Sequence, residues 1–124
     1  MSQVIHTENA PEAIGPYSQA IVAGGFVFTS GQIAINPATG RVEATTIEEQ
    51  TEQVCRNLDA VLKASGSSLD KVVKTVCFLS NMDDFAAFNA VYGKYFTGKP
   101  ARSCVAVKTL PKNVLVEVDT IAEI

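Results

Sequence analysis

Apolar positions along the chain change period several times, and each change marks an element. Residues 3–7 predict a short first strand, and a loop punctuated by proline and glycine follows from Glu8 to Pro16. Two apolar runs, Tyr17–Ala23 and Phe26–Ser30, flank Gly24-Gly25. That pattern predicts a tight hairpin, because glycine accepts the positive φ such turns need. Asn36-Pro37-Ala38-Thr39-Gly40 is a second turn cluster. The period then becomes helical: Ile47, Val54, Leu58, Val61 and Leu62 fall on one face, behind a capping box at Thr46-Ile47-Glu48-Glu49. Glu48, Glu49 and Glu52 suit the positive end of that helix, and Gly66 offers its stop. Leu69–Leu79 is rich in β-branched residues and reads as a strand. Asn81 is placed to cap a second helix, with Asp83 and Asp84 in its first turn and Phe85, Phe88, Tyr92 and Phe96 on its buried face. Gly98 and Pro100 close it. Two last strands, from Pro100 to Val107 and from Val114 to Ile121, flank a turn at Leu110-Pro111-Lys112-Asn113 and are expected to pair as a hairpin. The order is β-β-β-α-β-α-β-β without repeat or linker. It predicts one α/β (α+β) domain over residues 1–124, a single sheet with two helices on one side.

Composition narrows the function. A chain of 124 residues buries a limited share of its surface, so association with further copies is a natural way to bury more. The formal net charge of −3, with Arg41 the only Lys or Arg among the first fifty residues, argues against a nucleic-acid partner. The first residues lack a basic stretch followed by an apolar core, so no secretory signal is expected. No apolar run is long enough to span a membrane. Cys55, Cys77 and Cys104, odd in number and widely spaced, fit reduced thiols in a cytoplasmic protein better than a disulfide frame, and no metal-ligand spacing occurs.

Candidate chemistry concentrates on the expected C-terminal hairpin. Side chains alternate faces along a strand, so pairing Arg102 opposite Glu117 sets Cys104 opposite Leu115, all on one face. A guanidinium is suited to holding a carboxylate by two parallel hydrogen bonds, and a nearby carboxylate can orient or deprotonate water. Each residue also has a plainer reading: Arg102 as a surface ion pair, Glu117 as part of a solvated face, Cys104 as a small buried hydrophobe. The single histidine, His6, stands at the other end of the chain.

Pro100-Ala101-Arg102-Ser103-Cys104, followed after the turn by Val116-Glu117-Val118, resembles the C-terminal signature of the Rid (YjgF-type) family. Ile14-Gly15-Pro16-Tyr17-Ser18-Gln19-Ala20, Phe28-Thr29-Ser30-Gly31-Gln32-Ile33 and Met82-Asp83-Asp84-Phe85 agree in order with the same family. The resemblance is to the RidA subgroup. It implies a chorismate-mutase-like fold, a homotrimer whose sheets line a central barrel, and sites between subunits. It also implies hydrolysis of 2-aminoacrylate-type enamines and 2-imino acids to 2-keto acids and ammonia, with no metal or organic cofactor. By the same resemblance Arg102 holds the substrate carboxylate, Glu117 contacts ligand or water, and Tyr17, Ser30, Gly31, Asn89 and Cys104 line the site. The family also includes proteins described as translation inhibitors, endoribonucleases and small-carboxylate binders. The short approach Phe96-Thr97-Gly98-Lys99-Pro100 departs from members with a longer loop there.

Overall fold

Thr46 starts the longest helix as its sequence predicts. In the computed structural model, which describes residues 2–124, its hydroxyl accepts from the Glu49 amide at 3.2 Å. The Glu49 carboxylate reaches back to the Thr46 hydroxyl at 3.2 Å and the Thr45 amide at 3.5 Å. Helix α1 (Ile47–Ala64) buries one stripe that includes Val54, Leu58, Val61 and Leu62. Helix α2 (Phe85–Tyr95) starts later than predicted. Asn81 accepts from the Asp83 amide at 2.8 Å, but what it caps is a single 3-10 turn, Met82–Asp84, that precedes the α-helix. Phe88, Tyr92 and Phe96 are buried and Phe85 is half-buried.

The strands, in chain order, are β1 (Gln3–Ile5), β2 (Ala20–Ala23), β3 (Phe26–Thr29), β4 (Ile35–Asn36), β5 (Arg41–Val42), β6 (Val72–Leu79), β7 (Ala101–Ala106) and β8 (Val116–Glu123). Gly24 and Gly25, at φ 60° and 82°, make the predicted turn between β2 and β3. β4 and β5 are a two-residue pair flanking the Asn36–Gly40 turn, too short to register as a period. The strand expected from Leu69 opens as a 3-10 turn and extends only from Val72. The other six strands form one sheet in the order β1-β2-β3-β8-β6-β7, antiparallel except for β6 and β7. Both helices cover one face, where Val54, Leu58 and Leu62 join Val27, Cys77, Leu79, Phe88, Val116 and Val118 in the core. No helix among the described residues is long and apolar enough to cross a membrane.

The expected C-terminal hairpin does not form. β7 pairs with β6 in parallel, with α2 as the crossover, while β8 lies on the far side of β6, inserted between it and β3. Arg102 is opposite Thr75, and Glu117 is opposite Phe78. Thr75, Cys77 and Leu79 face the helices and Phe78 does not, so Arg102 and Glu117 occupy opposite faces of the sheet. The signal against a hairpin was the nine-residue connection Val107–Leu115, long for a hairpin loop. It carries a 3-10 turn with Lys112 and Asn113 at φ 56° and 54°.

The face away from the helices is largely apolar and, among the described residues, uncovered within the chain: Val4, Phe26, Phe28, Val73 and Val105 are exposed, and Phe78 and Ile121 half-buried. On the helix side, buried Asn57 ties α1 to the segment after β3, donating to the carbonyls of Ile33 at 3.1 Å and Ile35 at 3.0 Å. Asn57→Ala strips both carbonyls of their donor. It is expected to lower unfolding free energy by about 1–3 kcal/mol in a urea titration, and an unchanged midpoint would show that the tie carries no stability.

Candidate functional site

Beyond β3 the chain stays beside β8. Gln32 N–H donates to the Val118 carbonyl at 2.8 Å, and Val118 N–H to the Gln32 carbonyl at 3.2 Å. This bridge lays Gly31 against Glu117. A methyl group built on Gly31 would overlap Glu117 Oε2 and lie 2.9 Å from its Cδ. The space a side chain would need at position 31 is therefore taken by the Glu117 carboxyl. Burial pushes that carboxyl above the ordinary carboxylate range, and Asp119, two residues along on the same face, adds like-charge repulsion. Burial also raises Asp119.

Glu117 opens into a groove of about 580 Å³ that Tyr17, Ser30 and Gly31 also line. Buried Gln19 holds the groove's loop wall. Its Nε2 donates to the carbonyls of Pro11 at 2.8 Å and Thr7 at 3.0 Å, and its Oε1 accepts from Thr7 N–H at 2.7 Å. Ser30 N–H donates to the Gln19 carbonyl at 2.9 Å, and the Ser30 hydroxyl donates to the Ser18 carbonyl at 2.5 Å. Ile14, Ile33, Ile35, Pro111 and Lys112 complete much of the lining. His6 is hydrogen-bonded to Glu12, another lining residue, at 3.2 Å.

Arg102 lies elsewhere in the chain, on the helix side of edge strand β7. Its Nη1 donates to Asn89 Oδ1 at 2.8 Å, and its guanidinium carbon lies 4.9 Å from the Tyr92 ring centre and 5.3 Å from that of Phe85. The Tyr92 hydroxyl is in turn bonded to Thr75 Oγ1 at 2.8 Å, in the core. Arg102, Asn89 and Tyr92 line a second, smaller cavity with Lys99 and Phe96. Cys104 is half-buried beside Cys77 on the neighbouring strand and lines neither cavity. Burial raises the Cys104 thiol, opposed in part by Arg102, so it stays protonated at neutral pH. Burial likewise pushes Cys77 up to about 12.

The sequence-derived residues thus fall into two groups. Tyr17, Ser30, Gly31 and Glu117 share the groove, while Asn89 and Arg102 share the second cavity. Sequence reasoning missed Phe85 and Tyr92 as the platform under Arg102, assigning both only to the core. It also missed Gln19 and Asn57 as the amides behind the groove. Their one signal was a polar side chain at a position otherwise reading as buried. No cluster of three His, Cys, Asp or Glu side chains suited to a metal occurs among the described residues.

Residues 7–124 match the family profile described as Endoribonuclease L-PSP. The chain belongs to the Rid (YjgF, L-PSP) family. It is 53% identical over 123 residues to a RutC family protein of Pyrococcus horikoshii, covering 98% of both chains. It is 46% identical over 121 residues to Reactive Intermediate Deaminase A, chloroplastic, of Arabidopsis thaliana, covering 97% of this chain and 65% of that protein. Among solved structures, yeast Mmf1 superposes with a TM-score of 0.95 at 45% identity, covering 99% of this chain and 98% of that one. E. coli TdcF with bound serine does so with a TM-score of 0.94 at 39% identity, covering 98% of each.

Gly31→Ala tests the seat of Glu117. The added methyl meets the free end of a flexible side chain, so the fold should survive while the carboxyl swings out toward water. The expected result is a fall in the Glu117 pKa toward its ordinary value, followed by carboxyl carbon NMR. An unmoved titration would mean that Gly31 does not shape this site.

Proposed function

We propose that the protein hydrolyses 2-imino acids, and the enamines that tautomerise to them, giving 2-keto acids and ammonia. The observation that carries this reading is Glu117, a half-buried carboxyl of raised pKa facing a groove in a family that includes a named reactive intermediate deaminase. Arg102, held by Asn89 and the Phe85 and Tyr92 rings, supplies a fixed cation for the substrate carboxylate. Because Arg102 and Glu117 occupy opposite faces of one sheet, we assign the complete site to two chains, Arg102 from one copy meeting the groove of another. The uncovered apolar face and the small size of the chain support association, and we propose a homotrimer.

In this reading Arg102 anchors the carboxylate and Glu117 takes a proton from a water as its oxygen attacks the imine carbon. The C=N π electrons move to nitrogen, which takes that proton from Glu117. In the tetrahedral carbinolamine Glu117 accepts the hydroxyl proton as the C=O bond forms and delivers it to the departing nitrogen, so the C–N bond breaks, ammonia leaves and Glu117 is again ionised. The substrate already carries an activated C=N bond, so positioning and electrostatics suffice. Tyr17 and Ser30 line the groove around the reacting carbon. Cys104, a protonated thiol, is given no nucleophilic step.

A second reading, regulatory binding of small carboxylates, is favoured by the TdcF structure with bound serine. It needs Arg102 but not Glu117 as a base. The endoribonuclease wording of the family profile has no counterpart in charge: a chain of net charge −3 is poorly suited to phosphate backbones.

The deciding assay generates imino acids with an amino-acid oxidase and traps them with semicarbazide. The protein should suppress semicarbazone formation, and Arg102→Ala should abolish that suppression with the fold intact. Turnover at the unsubstituted rate in Arg102→Ala would defeat the mechanism, and keto-acid binding without turnover would leave the second reading. Sedimentation should give the mass of three chains, and a monomer would remove the two-chain site. The acid limb of kcat/KM should lie above the ordinary glutamate range. Asp119→Asn removes a like charge, which favours ionisation of Glu117, so the limb should move to lower pH.

A further inference from the structure

Both walls of the groove are held rigid by buried amides, and both present apolar side chains to open space. The loop wall is pinned through Thr7 and Pro11 by Gln19, which is 2% exposed. It nevertheless displays Ile14 at 74% exposure and Tyr17 at 52%. The facing wall is pinned through the carbonyls of Ile33 and Ile35 by Asn57, and both isoleucine side chains line the groove half-buried. Among the described residues, Ile14 is not part of the buried core of the single chain. The polar end of the groove, at Ser30, Gly31 and Glu117, is continuous with this apolar stretch, and the whole measures about 580 Å³.

We infer that Ile14, Ile33 and Ile35 form a subsite for the side chain of the substrate, selecting imino and keto acids with longer aliphatic side chains over short or acidic ones. This rests on the reading of Glu117 and Arg102 given above and specifies its substrate class. With the C=N carbon beside Glu117 and the carboxylate held by Arg102, the side chain runs along the isoleucines. A second carboxylate in that direction meets apolar groups and the like charges of Glu12 and Glu117, with Lys112 the only cation that the described residues of this chain place in the lining.

Binding and turnover separate the subsite from the reaction. In calorimetric titrations of pyruvate, 2-oxobutanoate, 2-oxopentanoate and 2-oxohexanoate, affinity should rise up to about fourfold per methylene. That factor is the equivalent of about 0.8 kcal/mol for each one buried. 2-Oxoglutarate should bind more weakly than 2-oxopentanoate. Ile35→Ala should flatten the series. Ile14→Ala should do the same on an exposed position where folding is not at stake. A flat or falling series, no binding at any length, or an unchanged slope in Ile14→Ala overturns the subsite. The same lengths are then run as imino acids in the semicarbazide assay. A rising keto-acid series with no hydrolysis keeps the subsite and removes the hydrolytic reading. Hydrolysis of short imino acids with a flat keto-acid series does the reverse.

Discussion

The period-two alternation of β8, locked between β3 and β6, is the constraint on which the site depends. Val116, Val118, Thr120 and Ala122 are at most 1% exposed beneath α1, so Glu117 and Asp119 must point to the other face. A slip of one residue would drive both carboxylates into the core, at a cost far above what the ladder could offset. The register that builds the core therefore also delivers Glu117 to the groove. Because Gln32 continues the pairing beyond β3, the same ladder brings Gly31 beneath its carboxyl.

Buried amides turn this scaffold into a site with fixed walls. Gln19 binds backbone groups of the irregular segment after β1, and Asn57 binds the carbonyls of Ile33 and of Ile35 at the start of the two-residue strand β4. Gln50 does the same at the entry to β8, accepting from Leu115 N–H at 2.8 Å and donating to the Ala44 carbonyl at 3.1 Å. Among the described residues no buried side-chain polar atom lacks a partner, so these groups incur little desolvation loss while ordering the loops. The Thr75–Tyr92 pair plays the matching part under Arg102, orienting the ring against which the guanidinium lies.

The two halves of the chemistry have different surroundings. Arg102 lies against aromatic rings near a sheet edge, while Glu117 sits with Asp119 on the opposite, largely apolar face. A guanidinium keeps its charge in either setting, whereas a carboxyl is tuned by partial burial and a like-charged neighbour. In the proposed trimer these complementary groups meet only on assembly, so an isolated chain would hold half of each site.

The sequence by itself determined the two helices, the six strands of the main sheet and their buried faces, but not the short β4–β5 pair or the 3-10 turns. The capping box, the Gly24-Gly25 turn, the stripe of α1 and the alternation of β8 are local patterns whose physics is read within a few residues. It also marked Arg102 and Glu117 as chemically unusual for their strands. Tertiary structure alone decided which strands are neighbours. A turn between two β-rich runs allows a hairpin as well as a chain crossing over β6, and the length of the connection disfavours the hairpin without deciding which strands pair. That choice separated Arg102 from Glu117, gave Arg102 to Asn89 and Tyr92, and gave the space at Gly31 to Glu117. These are contacts between residues distant along the chain, and no local period encodes them.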